Sequence, residues 1–249
     1  AIKGVSLTGS DAAGSAVGMQ AGKEIKKTVL ELGGSDPFIV LDDADIDKAS
    51  KTAITARFFN TGQSCIAAKR FLIHEDVYDE FIDKIKKDID NLVVGDPLNE
   101  KTQIGPLAKK EFTQDLDRLV QSSIEDGAKC LAGGSVKGCY YMPTFLTDVT
   151  EGMAVFNEET FGPVFCVTKI KNIDDAIRLA NHSQYGLGGS LWTSNIKLAK
   201  EIVKKINTGA VFINDMTKSD PRLPFGGINK SGYGVELSKY GIREFVNIK

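Results

Sequence analysis

Residues Lys27 to Phe59 read KTVLELGGSDPFIVLDDADIDKASKTAITARFF, and the order of their parts decides the fold class. A strand-like run, Lys27 to Leu32, stops at Gly33-Gly34. A second, Pro37 to Leu41, is an unbroken apolar run, as expected of a strand covered on both faces. Asp45 to Phe59 then takes up helical spacing. Strand, strand and helix in this order begin an alternation that continues in both directions.

Upstream, a strand at Lys3 to Leu7 is followed by the small-residue segment Asp11 to Gly22, suited to a helix packed closely on a sheet; together they make half of a βαβ unit. Downstream come a strand at Arg70 to His74, a helix at Val77 to Leu92, a Gly/Pro-punctuated stretch at Gly95 to Pro106, a helix at Lys109 to Asp126 and a short strand near Lys129 to Ala132. Gly133 to Gly138 reads as a turn. A strand at Val164 to Ile170, a helix at Ile173 to Asn181, a strand at Gly188 to Thr193, a helix at Ile196 to Ile206 and a strand at Ala210 to Ile213 follow. The tail, Ser231 to Lys249, reads as a helix-like piece and then a strand, Glu244 to Ile248. The class is α/β, with a mostly parallel open sheet covered by helices.

Composition narrows the function. A chain of 249 residues, 42% hydrophobic and 26% charged, can bury a sizeable core. With a net charge of -2 and lysines interleaved with acids, it offers no footprint for nucleic acid. No apolar run approaches the roughly 20 residues that span a bilayer, and no signal segment opens the sequence, so a cytoplasmic location is the default expectation. The four cysteines, Cys65, Cys130, Cys139 and Cys166, are scattered, and with two histidines and no Cys-x-x-Cys pair they form no zinc pattern. They read as reduced thiols. Ala1 is not Met and a strand begins almost at once, so the chain is expected to begin in mid-domain and to be cut at both ends.

Five segments could carry chemistry. In FNTGQSCIAAKR, Phe59 to Arg70, a cysteine follows a helix and a Gly-containing bend; Cys65 is either a nucleophile or, as free cysteines more often are, a small buried hydrophobe. The other three cysteines keep the second reading. In LELGGSD, Leu30 to Asp36, Glu31 stands among apolar neighbours at a strand's C-terminal end, where open α/β sheets place their sites. Desolvation there would raise its pKa toward a value useful to a base, although a solvated strand-end glutamate would look the same. LTGS, Leu7 to Ser10, could present backbone N–H groups to a phosphate or simply cap a helix through Ser10. NEETFGPV, Asn157 to Val164, and PFGGINKSGYG, Pro224 to Gly234, set glycines beside aromatic or acidic residues, as a ligand cradle or a surface turn would.

Taken in order, LTGS, LELGGSDP, FNTGQSC, EETFGPV and PFGGINKSG resemble the aldehyde dehydrogenase superfamily across the whole chain. The resemblance implies that Cys65 attacks an aldehyde carbonyl and that Glu31 is the general base. It implies NAD or NADP as cofactor, with Gly9 and Ser10 on the pyrophosphate side and Glu159 and Phe161 at the nicotinamide ribose and ring. It further implies that residues 1–32 end a Rossmann-like cofactor domain, that 33–234 form the catalytic domain, and that 235–249 are a C-terminal helix and truncated strand. By comparison with the family the first part of the cofactor domain is lacking, so the piece alone is expected to bind cofactor poorly and turn over little.

Asn214 to Gly227, NDMTKSDPRLPFGG, is similar to succinate-semialdehyde dehydrogenases; Ser219 or Arg222 would then meet the substrate's distal carboxylate. The partners implied are a small aldehyde and other copies of the chain, as a dimer or tetramer of the full-length form, with no nucleic acid, membrane or metal. Two other readings remain open: a cofactor-independent cysteine hydrolase, and a catalytically inactive fragment that keeps only the fold and its subunit contacts.

Overall fold

The computed structural model describes residues 2–249. β1 (Gly4–Thr8) and β2 (Lys27–Glu31) run parallel, connected by α1 (Asp11–Lys23). A new sheet opens with β3 (Asp36–Val40); α2 (Ile46–Phe58) and a 3-10 turn at Phe59–Gly62 lead to β4 (Ala68–His74). After α3 (Tyr78–Asp90) and α4 (Lys110–Glu125) come β5 (Lys129–Ala132), the hairpin β6 (Val136–Lys137) and β7 (Tyr140–Tyr141), and β8 (Thr144–Thr147). The short α5 (Ala154–Asn157) precedes β9 (Val164–Ile170). Then come α6 (Ile173–Asn181), β10 (Ser190–Trp192), α7 (Ile196–Ile202), β11 (Phe212–Ile213), β12 (Gly232–Tyr233) and α8 (Ser238–Gly241).

The larger sheet has seven strands in the order β11-β10-β3-β4-β9-β8-β5, every pair parallel except β8 with β5. Its central strands are buried on both faces, which is why the sequence shows continuous apolar runs there. Period-two alternation splits those runs between two cores. Phe38, Phe71, Phe145 and Phe165 pack on α2 and α3, whose apolar positions Tyr78, Phe81, Ile85 and Ile89 recur at helical spacing. Ile39, Leu72, Leu146 and Cys166 face the side of α4, α6 and α7. The mostly parallel α/β reading therefore holds.

The smaller sheet has the order β1-β2-β12, with β12 antiparallel to β2. β2 ends at Glu31 and β3 begins at Asp36, and Gly232–Tyr233 returns to pair with β2, so the small sheet draws strands from both ends of the described chain.

Three expectations need correction. Glu244 to Ile248 is no strand: Ile242–Phe245 is a 3-10 helix, and the residues after it pair with no strand among the described residues. Gly133 to Gly138 is more than a turn, since it contains β6. Cys130 and Cys139 are exposed rather than buried, because β5 is an edge strand and Cys139 sits in the turn of the separate two-stranded β6–β7 hairpin; Cys166 alone of these three is buried.

Candidate active site

Parallel strands all enter from one end, and in the large sheet that end carries the segments leading into β3, β4 and β9: Gly33 to Ser35, Gly62 to Ala67 and Glu158 to Pro163. The small sheet meets them with the opposite ends of its strands, the C-termini of β1 and β2, which carry Thr8 to Ser10 and Glu31. A cavity of about 650 Å³ lies at this junction. Gly9, Ser10, Cys65, Glu159 and Phe161 all line it, so five residues from three distant motifs meet in one place.

Close approach explains the glycine pair of LELGG. A Cβ on Gly33 would stand 2.5 Å from Glu159 Oε2, and one on Gly34 would stand 2.5 Å from the carbonyl oxygen of Cys65. Only glycine lets both segments lie against the end of β2. Gly34 N–H also donates to Glu159 Oε1 at 3.0 Å, which holds that carboxylate at the cavity wall.

Glu31 is 3% exposed, and neither carboxylate oxygen has a hydrogen-bond partner among the described residues. Burial, reinforced by the charge of Glu236, pushes its pKa up from 4.5 to about 7. A carboxyl group so placed exchanges its proton near neutrality, as a general base must.

Cys65 is half-buried on the cavity wall, which Glu31 itself does not line. Burial pushes its thiol up; Lys69 pulls it down, and Asp36, Glu159 and Glu31 push it up again. Burial is the largest of these effects and favours the thiol over the thiolate, and Glu31 is close enough for its charge to act on the sulfur.

The turn carrying Cys65 is held from behind. Asn60 and Thr61 adopt left-handed backbone (φ 50° and 58°), unusual for a β-branched residue, and the geometry is kept by Thr61 Oγ1 accepting from Gly105 N–H at 3.0 Å. The buried Arg57 guanidinium donates to the carbonyls of Gly62 (3.1 Å), Ala68 (2.9 Å), Thr160 (2.9 Å) and Gly162, tying the Cys65 turn to the Glu159 loop. Arg70 ties β4 instead to Ser35, ahead of β3, and to Leu179 and Ala180 at the end of α6.

On the small sheet Ser10 caps α1, its Oγ accepting from Ala13 N–H at 3.3 Å, while Gly9 N–H is taken by the carbonyl of Glu31 at 3.0 Å. The capping alternative is thus realised, and Gly9 N–H is not free for a phosphate. The structure does not bring Ser219 and Arg222 to this cavity: both are exposed, and the Arg222 guanidinium is engaged by Asp220, Nη2 to Oδ2 at 2.6 Å. The opposite wall comes instead from Phe112, Asp115, Leu116 and Leu119 of α4. Their spacing shows one helix face in the sequence, but spacing alone does not tell a face on a cavity from a face on a core.

The profile of the aldehyde dehydrogenase family matches residues 1–249. The chain belongs to the aldehyde dehydrogenase family. It is 52% identical over 251 aligned residues to an aldehyde dehydrogenase of Paenarthrobacter nicotinovorans, covering all of this chain and 55% of the relative. It is 50% identical, with the same coverage, to a succinate-semialdehyde dehydrogenase [NADP(+)] 1 of Mycobacterium ulcerans. The crystal structure of succinic semialdehyde dehydrogenase from Streptococcus pyogenes in complex with NADP+ superposes with a TM-score of 0.94 at 41% identity, over 98% of this chain and 54% of that one. The chain spans about half the length of the aldehyde dehydrogenase relatives it matches. Among the described residues no helix is long and apolar enough to cross a membrane.

Proposed function

We propose that this part of an aldehyde dehydrogenase oxidises an aldehyde to a carboxylic acid, with Cys65 as nucleophile and Glu31 as general base. The supporting observation is the pairing of a buried, unpartnered carboxylate, tuned to about 7, with a thiol that burial keeps protonated. Glu31 takes the thiol proton, and the Cys65 sulfur bonds to the aldehyde carbon to give a thiohemiacetal. The Cys65 backbone N–H meets the oxygen on which charge develops. The chemistry that a bound NAD or NADP supplies is acceptance of hydride, which leaves a thioester on Cys65. Glu31 passes that proton on to solvent and then takes one from water, whose oxygen bonds to the thioester carbon as the carbon–sulfur bond breaks, releasing the acid and returning Cys65 as a thiolate that regains its proton from solvent.

The cavity residues fit such a cofactor. Glu159, fixed by Gly34 N–H, offers a carboxylate to ribose hydroxyls, and Phe161 offers a ring face, while the first turn of α1 after Ser10 lies on the phosphate side. The NADP+ named for two of the relatives favours NADP. Succinate semialdehyde as substrate rests on the same names; Ser219 and Arg222 would serve its carboxylate only if Arg222 left Asp220. Assembly as a homo-oligomer and division into a cofactor remnant (1–32), catalytic domain (33–234) and tail (235–249) belong to the same proposal.

The test mixes the purified chain with succinate semialdehyde and NAD or NADP, follows the absorbance of reduced cofactor, and maps iodoacetamide labelling by mass spectrometry. Labelling at Cys65 and loss of any turnover in Cys65→Ala are expected. Turnover that survives in Cys65→Ala, or an inert Cys65, would overturn the assignment.

A further inference from the structure

Lys69, the second residue of β4, ends in an ammonium group with no solvent exposure. Its Nζ donates to the carbonyl oxygens of Ser64 (3.0 Å), Cys65 (2.9 Å) and Ala67 (3.3 Å), and it stands 3.2 Å from Glu159 Oε1. A lysine has three hydrogens to give, so these acceptors saturate it. Burial lowers the pKa of Lys69, and the nearby carboxylate of Glu159 works against that, holding the charge in place.

The carbonyl of Ser64 belongs to the same planar trans peptide as the N–H of Cys65. With the oxygen turned toward Lys69, that N–H turns the other way. Ser64 and Cys65 line the cavity whereas Lys69 does not, and the Cys65 N–H donates to no backbone acceptor among the described residues. The charged neighbours facing the thiol are otherwise Asp36, Glu159 and Glu31, all acids. The charge of Arg57 also acts on Lys69, and repels it.

We propose that Lys69 is a positioning residue for the nucleophile: it locks the Ser64–Cys65 peptide with its N–H toward the cavity and keeps a cation behind the sulfur. This rests on Cys65 as the reactive thiol. Among the groups acting on the sulfur Lys69 is the cationic counterweight to three carboxylates, so neutralising it makes the thiol a weaker acid. The same ion pair joins the cavity-facing Glu159 to the nucleophile turn, so a ligand that draws Glu159 toward itself also alters the charge balance at Cys65.

The experiment follows iodoacetamide labelling of Cys65 from pH 6 to pH 10 in the wild-type chain, Lys69→Gln and Lys69→Met, with Cys65→Ala as blank. Glutamine keeps donors for the carbonyls but has no charge, so a purely structural role would leave its pH profile unmoved. In both variants the midpoint should rise by about one unit, and the rate at pH 8 should fall about tenfold. A folded Lys69→Gln chain, judged by thermal melting, whose midpoint stays within about 0.3 units of wild type would overturn the proposal. Should neither variant fold, the wild-type chain decides. Slowly exchanging Lys69 ammonium signals in nitrogen NMR, shifted when Cys65 is alkylated, are expected; their loss to solvent exchange would refute the buried cation. An unlabelled wild-type Cys65 would instead sink the nucleophile assignment itself, so the two failures are distinguishable.

Discussion

Glu31 and Glu159 are two carboxylates with opposite surroundings: Glu159 lines the cavity, whereas Glu31 ends β2 one residue before Leu32, which does. Glu159 has an ammonium group at 3.2 Å and a backbone N–H at 3.0 Å, and it keeps some contact with solvent. Glu31 is buried among Val29, Leu30 and Leu32 with no donor to either oxygen. The difference is one of environment: Glu159 is held by donors at the cavity wall, and Glu31, denied them, is pushed by burial to about 7. The same contrast divides the larger regions. The turn that carries Cys65 is braced by two buried cations, Arg57 and Lys69, each surrounded by carbonyl oxygens, while the end of β2 leaves its acid unsupported.

The largest expected effect comes from breaking the orphan. Glu31→Gln should lower the rate of aldehyde oxidation by about 10²- to 10⁴-fold, measured by reduced-cofactor absorbance, because an amide accepts no proton from thiol or water. A loss of less than threefold would show that another group is the base. Glu159→Gln should act less on chemistry than on binding, raising the KM for cofactor roughly tenfold with kcat nearly kept, since ribose hydrogen bonds are weakened rather than a proton path removed.

The comparison also has a thermodynamic side. Because the folded-state pKa of Glu31 lies above its unfolded value of 4.5, the folded chain binds the extra proton between about 4.5 and about 7. Stability from this group is therefore present at low pH and lost as pH rises through that window, by up to about 3 kcal/mol. Asp36, pushed up to about 6 chiefly by burial, acts in the same direction. Urea denaturation should show wild type losing stability relative to Glu31→Gln between pH 5 and pH 8; parallel curves would mean that Glu31 ionises normally. The smallest effect tests the neighbouring cap: Ser10→Ala should cost about 0.5–2 kcal/mol in the same assay and leave Cys65 labelling unchanged.

Much of this was legible in the chain itself. Continuous apolar runs such as Pro37 to Leu41 and Val164 to Val167 became fully buried stretches of central strands, because strands covered on both faces leave no position for polar alternation. Cys65, Glu31, Gly9, Ser10, Glu159 and Phe161 were each visible inside short motifs. Less legible were the α4 residues on the far wall, since Phe112, Leu116 and Leu119 form an ordinary apolar stripe whose partner is chosen by docking. Arg222 looked free to bind a carboxylate but is engaged by Asp220, two residues away, and the apolar tail residues looked like a strand but found no ladder to join.

Local residue chemistry determined the α/β class, the order of elements, and the thiol and carboxylate available for catalysis. The tertiary structure alone decided that the ends of β1 and β2 face the entrance of the larger sheet, that Glu31 receives no donor, and that Lys69 and Arg57 are sealed behind the nucleophile. The reason is physical: propensity and periodicity act within a few residues of chain, whereas desolvation and charge pairing depend on which distant segments are packed together.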